Sequence, residues 1–212
     1  MLREEDIRRI AAKSGLSVGL TEKDYAIDWF LKGIGEAGVN IIFKGGTAIK
    51  KVYYPETWRY SHDLDFSSFL TSKRVRREIE DVFEMIRERS GVVMNFKSFH
   101  TTPGSVIANI QYIGPLKVKN RIRLDVTLDE RILTKPIRAT VKSKYPDVGS
   151  YSVLVYSLEE ILAEKIRSIL QRGKSRDYYD VWMLLRVRKF DLDKIRELIC
   201  LLYTSPSPRD RG

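Results

Sequence analysis

The apolar positions of this chain change period several times, and each change marks an element. Residues 3–13 are mostly charged and read as a short polar helix. From Thr21 onward, Tyr25, Ile27, Trp29, Phe30, Leu31 and Ile34 form a helical run, with Thr21 and Asp24 spaced as a capping box. Residues 39–43 are a short apolar run before a glycine pair, the pattern of a buried strand. Residues 47–54 look helical and stop at Pro55, and residues 63–69 read as a strand. Thr71 or Ser72 caps a long helix that reaches Ser90 and ends at Gly91. Strand-like runs follow over 92–99, 105–113 and 116–128, with Gly114-Pro115 as the turn between the last two, and then over 153–156. Ser157 and Glu160 mark a second capping box for a helix to Gln171, and helices over 176–187 and 192–200 close the series.

This order, with helices before and after a mixed sheet, predicts an α+β fold. N-terminal helices occupy 1–38, a core sheet 39–156 and C-terminal helices 157–200. Residues 201–212 break the pattern: periodicity stops and Ser-Pro repeats follow, so this stretch reads as a non-native or disordered tail.

Composition narrows the class. The 212 residues, 43% hydrophobic and 31% charged, can bury a core and exclude a disordered chain. No apolar run approaches the roughly eighteen residues of a membrane span, and the N-terminus lacks a signal-peptide core. A soluble, cytoplasmic protein with no membrane partner is expected. A single cysteine, Cys200, excludes an internal disulfide, and two histidines do not make a Cys/His zinc site. The net charge of +10 favours a polyanionic partner, nucleic acid or a phosphorylated small molecule, although a basic surface also serves solubility.

The chemistry concentrates in a few segments. A buried strand running into Gly45-Gly46 and then Thr47 at a helix start lets backbone approach a phosphate closely, and a plain turn has the same residues. In a strand, residues i and i+2 share a face, so the carboxylates of Asp63 and Asp65 converge while Leu64 and Phe66 enter the core. Adjacent carboxylates repel, and a cation between them relieves the repulsion. Oxygen-only ligands select a hard ion, Mg²⁺ or Mn²⁺. A solvated acidic edge strand is the alternative. Lys117, Lys119, Arg121, Arg123 and Asp125 recur at every second position, a basic track ending in a third carboxylate; an amphipathic strand with one wet face reads the same way.

Lys165 falls inside the apolar stripe of Leu158, Ile161, Leu162, Ile166, Ile169 and Leu170. Such a lysine either snorkels to the surface or meets a buried anion. Asp177 and Asp180 share one helix face, where acids of a first turn also complement the helix dipole. Tyr25, Trp29, Trp58 and Trp182 read as packing residues, the run Lys73-Arg74-Val75-Arg76-Arg77 as a solvated helix face, and neither His62 nor His100 gains a role.

Together these segments resemble the AbiEii/MenT nucleotidyltransferase toxins of type IV toxin–antitoxin systems, whose fold is similar to that of DNA polymerase β-type nucleotidyltransferases. Lys44-Gly45-Gly46-Thr47-Ala48 with Arg59-x-Ser61-x-Asp63-Leu64-Asp65-Phe66 matches the family's first motif, and Arg123-Leu124-Asp125-Val126 its second. The run from Leu158 to Lys165 matches the third, and Arg176-Asp177-x-x-Asp180 the fourth. The Gly46-to-Asp63 gap is longer than in many polymerase β-type enzymes but suits this family.

The resemblance implies Asp63, Asp65 and Asp125 as metal ligands and catalytic carboxylates, with Asp125 closest in role to a base for the attacking hydroxyl. It implies Gly45, Gly46, Thr47 and Ser61 as the triphosphate cradle, Lys165 as catalytic and nucleotide-binding, and Asp177 and Asp180 as nucleotide-site residues. The implied reaction moves a nucleoside monophosphate from an NTP to an acceptor, with Mg²⁺ or Mn²⁺, RNA or a tRNA 3′ end as acceptor, and a cognate antitoxin as partner. Two other readings stay open: a small-molecule or protein hydroxyl as acceptor, and a non-catalytic nucleic-acid-binding module of this fold.

Overall fold

The computed structural model describes residues 1–204. Two helices, α1 (Glu4–Ser14) and α2 (Val18–Glu36), precede strand β1 (Ile41–Lys44). A short helix α3 (Gly45–Ala48) continues into a π-helical turn over Ile49–Tyr53 and leads to β2 (Leu64–Ser68) and α4 (Ser72–Ser90). Then come β3 (Val93–Thr102), β4 (Ser105–Ile113), β5 (Lys119–Leu128), β6 (Ile137–Lys142), β7 (Ser150–Val155), α5 (Leu158–Arg172), α6 (Ser175–Val187) and α7 (Leu192–Thr204). The strands form one mixed sheet in the order β3-β4-β5-β2-β1-β7-β6. Only β2–β5 and β1–β7 are parallel pairs. The α+β architecture expected from the sequence is the one observed.

Local chemistry explains the helix ends. Thr71 Oγ1 accepts from Arg74 N to start α4, and Gly91 in the left-handed region ends it, donating its N–H to Arg87 O. Between them Val75, Ile79, Val82, Phe83 and Ile86 form the buried stripe. Helix α2 begins earlier than the pattern suggests. Ser17 caps it by accepting from Leu20 N, whereas Thr21 and Asp24 are buried inside the helix. Asp24 is spent on ion pairs with Lys51 at 2.6 Å and Lys144 at 3.1 Å, so it caps nothing. At α5, Ser157 Oγ accepts from Glu160 N at 3.1 Å, but Glu160 does not reach back. Its carboxylate accepts from the N–H groups of Leu133 and Thr134 at 2.7 and 2.9 Å, tying the β5–β6 connection to the helix.

Helices α2 and α4 cover one face of the sheet. Phe30 of α2 meets Phe66 of β2 at a ring separation of 6.4 Å and Phe83 of α4 at 6.2 Å, and Phe66 packs on Phe43 of β1 at 5.1 Å. Helix α5 approaches the opposite face, where its Glu164 pairs with Lys44 of β1 at 3.3 Å. Strand β5 starts at Lys119, and Lys117 sits in the preceding turn at φ +56°, so it leaves the alternating track. Helix α7 runs four residues into the stretch set apart as a tail; the remainder of that stretch lies outside the described residues. Among the described residues, no helix is long and apolar enough to cross a membrane.

Candidate active site

Two adjacent parallel strands build the floor of the site. Asp65 of β2 and Asp125 of β5 are direct register partners, and Asp65 also partners Lys44 across β1. Leu64, Phe66, Leu124 and Val126 are buried in the core, so the two-residue period sends both carboxylates to the face opposite α2 and α4. Asp63 stands one residue before β2, with its carboxylate 4.0 Å from the His62 imidazole. All three aspartates line one cleft of about 660 Å³, shared with Gly46, Arg59, Ser61, Arg123 and Lys165. The β3–β4 turn Thr102–Ser105 and the α5–α6 corner residues Arg172, Lys174 and Arg176 complete its wall.

The electrostatics at the floor are those of a cation site. Burial, then the adjacent Asp125 carboxylate, pushes the Asp65 carboxyl above its ordinary value, against the pull of Lys44 and Lys165. Arg123 Nε donates to Asp125 Oδ2 at 3.1 Å. The other oxygen, Asp125 Oδ1, is buried with no hydrogen-bond partner. An unsatisfied buried carboxylate oxygen is costly, and a divalent cation between Asp65 and Asp125 would both satisfy it and relieve the repulsion. The oxygen-only donor set fits Mg²⁺ or Mn²⁺. Among the described residues no three His, Cys, Asp or Glu side chains are already gathered at ligand spacing. The register pair is therefore the pre-assembled part, and Asp63 stands at its mouth.

The glycine pair serves the floor by leaving space. Gly45 has φ +77°, and a Cβ there would fall 2.6 Å from Asp65 Oδ2. A Cβ on Gly46 would fall 3.2 Å from both the Arg59 guanidinium and Ser61 Oγ. Thr47 is fully buried: its hydroxyl donates to Asp63 O at 2.5 Å and lies 2.9 Å from Ser61 Oγ. It fixes the Ser61–Asp63 segment and does not line the cleft.

Lys165 is buried at the cleft wall, and it does meet an anion. Its Nζ lies 2.9 Å from Asp180 Oδ2 and 3.4 Å from Asp177 Oδ1, both aspartates having no exposed surface. Each aspartate has its own arginine. Arg59 forks onto Asp180 at 2.6 and 2.7 Å, and Arg172 onto Asp177 at 2.9 and 3.0 Å. Burial pushes the Asp177 carboxyl up, but the Arg172 hydrogen bonds and the Lys165 charge more than offset this and hold it below its ordinary value. Asp177 and Asp180 thus stand behind Lys165 rather than in the cleft, and they are not helix-dipole ornaments.

Several contributors carry no sequence signal of their own. Arg59 and Arg172 act only through aspartates far along the chain or around a corner. Buried Lys44 pairs with Glu130 and Glu164 behind Asp65, and Glu130 also holds Ser67 Oγ at 2.8 Å and Arg167 at 3.3 Å. Burial, partly offset by Lys44, pushes the Glu164 carboxyl up to about 7. Trp182 departs from the packing reading, being half exposed, while Tyr25, Trp29 and Trp58 are buried.

A family model described as the nucleotidyl transferase AbiEii toxin of type IV toxin–antitoxin systems matches residues 29–207. Among solved structures, the chain is similar to MenT4, a nucleotidyltransferase toxin from Mycobacterium tuberculosis H37Rv. The TM-score is 0.73 and the identity 20%, over 95% of this chain and 70% of that one. It is also similar to JHP933 from Helicobacter pylori, with a TM-score of 0.61 and 18% identity over 84% of this chain and 72% of that one. At these identities the likeness establishes the fold. No curated protein matches the chain at a significant level.

Proposed function

The chain belongs to the AbiEii family of nucleotidyltransferase toxins, and from this premise we propose that it transfers a nucleoside monophosphate from an NTP to RNA in the cytoplasm, as the toxin of a toxin–antitoxin pair. One observation carries the reading: Asp65 and Asp125 are register partners on the floor of a cleft otherwise rich in positive charge. An acceptor hydroxyl attacks the α-phosphorus, the bond from that phosphorus to the bridging oxygen breaks, and pyrophosphate leaves. A Mg²⁺ or Mn²⁺ ion bound by Asp65 and Asp125, with Asp63 at the mouth, would supply charge neutralisation and activate the acceptor oxygen.

The chain's own groups divide the remaining work. Gly46 keeps the floor open where a phosphate must approach, and Ser61 offers a hydroxyl at the same point. Lys165, Arg172, Lys174 and Arg176 give the triphosphate a cationic surface, which stabilises the charge that builds on the leaving pyrophosphate. The Asp177 and Asp180 pairs hold Lys165 at that wall. The Asp125 carboxylate, oriented by Arg123, orients the attacking hydroxyl and accepts its proton.

The net charge of +10 supports a polyanionic acceptor over a small alcohol. The deciding experiment incubates the protein with Mg²⁺ and each α-labelled NTP in turn, with total RNA, with protein alone, or with a panel of small alcohols. Label in a discrete RNA band supports the proposal. Label only in protein or in a small product assigns another acceptor, and pyrophosphate-free incubation with every acceptor contradicts the transferase chemistry.

A further inference from the structure

We propose that the uncovered face of β3–β4–β5 is a phosphate track for the acceptor strand, guiding a single-stranded polynucleotide end to Asp125. The proposal rests on the RNA reading above and deepens it. Along β5 the inward residues Ile122, Leu124 and Val126 are buried, while Lys119, Arg121 and Arg123 are exposed on the face that carries Asp125. The register extends this face across two more strands. Ile107, Asn109, Gln111 and Ile113 of β4 oppose Asp125, Arg123, Arg121 and Lys119 in that order. On β3, His100 opposes Ile107 and Ser98 opposes Asn109. The three strands contain one acidic residue, Asp125, and it lies at the end of the basic column.

Whether these charges are already neutralised separates a docking surface from an ordinary wet face. On α4, Arg74 pairs with Glu78 at 2.6 Å and Arg76 with Glu80 at 2.9 Å. Among the described residues, neither Lys119 nor Arg121 has a carboxylate within ion-pair distance, although both are exposed. Lys23 of α2 continues the column toward the cleft, close enough to feel both Asp63 and Arg121.

Dimensions select a polymer over the nucleotide substrate. Lys119 and Asp125 are six strand positions apart, roughly 20 Å at about 3.3 Å per residue, which is longer than one triphosphate. Basic side chains at every second residue recur each ~6.6 Å, a repeat that successive phosphates of an extended strand can follow. The triphosphate has its own cations at the α5–α6 corner. Unpaired positive charge, a direction that ends at the catalytic carboxylate and the amides of Asn109 and Gln111 alongside all suit a nucleic-acid backbone.

The test measures binding of a short fluorescein-labelled single-stranded RNA by the wild type, by Lys119→Ala/Arg121→Ala, and by Arg74→Ala/Arg76→Ala, across a salt series. NTP affinity and the RNA KM for transfer are measured beside it. The β5 variant is expected to bind RNA about tenfold or more weakly at low salt. Its salt slope should fall by about two, since each lost phosphate contact removes about one. NTP affinity should be unchanged, and the α4 variant should behave as wild type. Wild-type RNA affinity in the β5 variant, or an equal loss in the α4 variant, overturns the track. If the β5 variant keeps its RNA affinity but loses an acidic protein partner that the wild type binds, the face belongs to a protein and the track falls. If the wild type binds RNA through β5 but transfers no label to it, the track stands and the acceptor reading falls.

Discussion

Lys165 Nζ lies 2.9 Å from Asp180 Oδ2, and Arg59 forks onto the same carboxylate from the other side of the chain. The relationship joins the third and fourth motifs to the loop before β2, so the cationic wall and the carboxylate floor are set by one buried ion network. Lys165→Ala separates its two duties. Asp177 and Asp180 keep their arginines, so the fold should survive with a loss of about 1–3 kcal/mol for the missing charge-assisted bonds. The NTP KM should rise by about tenfold or more, equivalent to ~1.4 kcal/mol of lost phosphate contact. Steady-state kinetics and thermal unfolding on the same preparation check both; an unchanged KM would remove Lys165 from the nucleotide site.

Gly45→Ala tests the close approach at the floor. The new methyl meets Asp65 Oδ2 at 2.6 Å in a left-handed backbone conformation, which alone costs a non-glycine residue about 1–2 kcal/mol. Transfer should fall steeply because Asp65 must shift, while Gly38→Ala, with φ +66° and nothing within 4 Å, should be destabilised but active. Equal activity in the two variants would show that the Gly45 contact does not matter.

Much of this site is legible along the chain because its parts obey local periodicity. The Asp63–Asp65 spacing, the alternation along β5 and the misplaced polar residue at 165 each contradict or exploit a period that burial enforces. What escapes is the pairing between distant segments. No local pattern places β2 beside β5, and hence Asp65 beside Asp125, or brings Thr102–Ser105 over the cleft. Strand β6 escapes for another reason: as an edge strand its only buried side chain is Val141. The start of α2 is misread because Thr21 and Asp24 imitate a cap, while the actual oxygen, on Ser17, precedes a glycine-containing turn. Buried pairs such as Lys44 with Glu164 look like any surface charges until the fold closes around them.

The Asp24 network away from the cleft predicts an acid limb of stability. Burial pushes the Asp24 carboxyl up, but Lys51 and Lys144 more than offset this and hold it at about 2, below the ordinary 3.8. A carboxyl depressed in the folded state stabilises it above the ordinary value and loses that contribution as pH falls toward the folded value. Asp24→Asn should therefore cost about 2 kcal/mol near neutral pH. The gap from wild type should narrow progressively below about pH 5. Denaturant unfolding at several pH values measures this, and a gap independent of pH would place the stabilisation elsewhere.

The most direct test of the central claim compares transfer by wild type, Asp65→Asn and Asp125→Asn, with thermal unfolding followed as Mn²⁺ is added. Both variants should fold, lose at least about a thousandfold in transfer, as removal of electrostatic stabilisation at a reaction centre commonly does, and lose the Mn²⁺-induced rise in Tm that the wild type shows. Folded variants that retain wild-type transfer, or the same Mn²⁺ response, would contradict the assignment of this register pair as the catalytic floor.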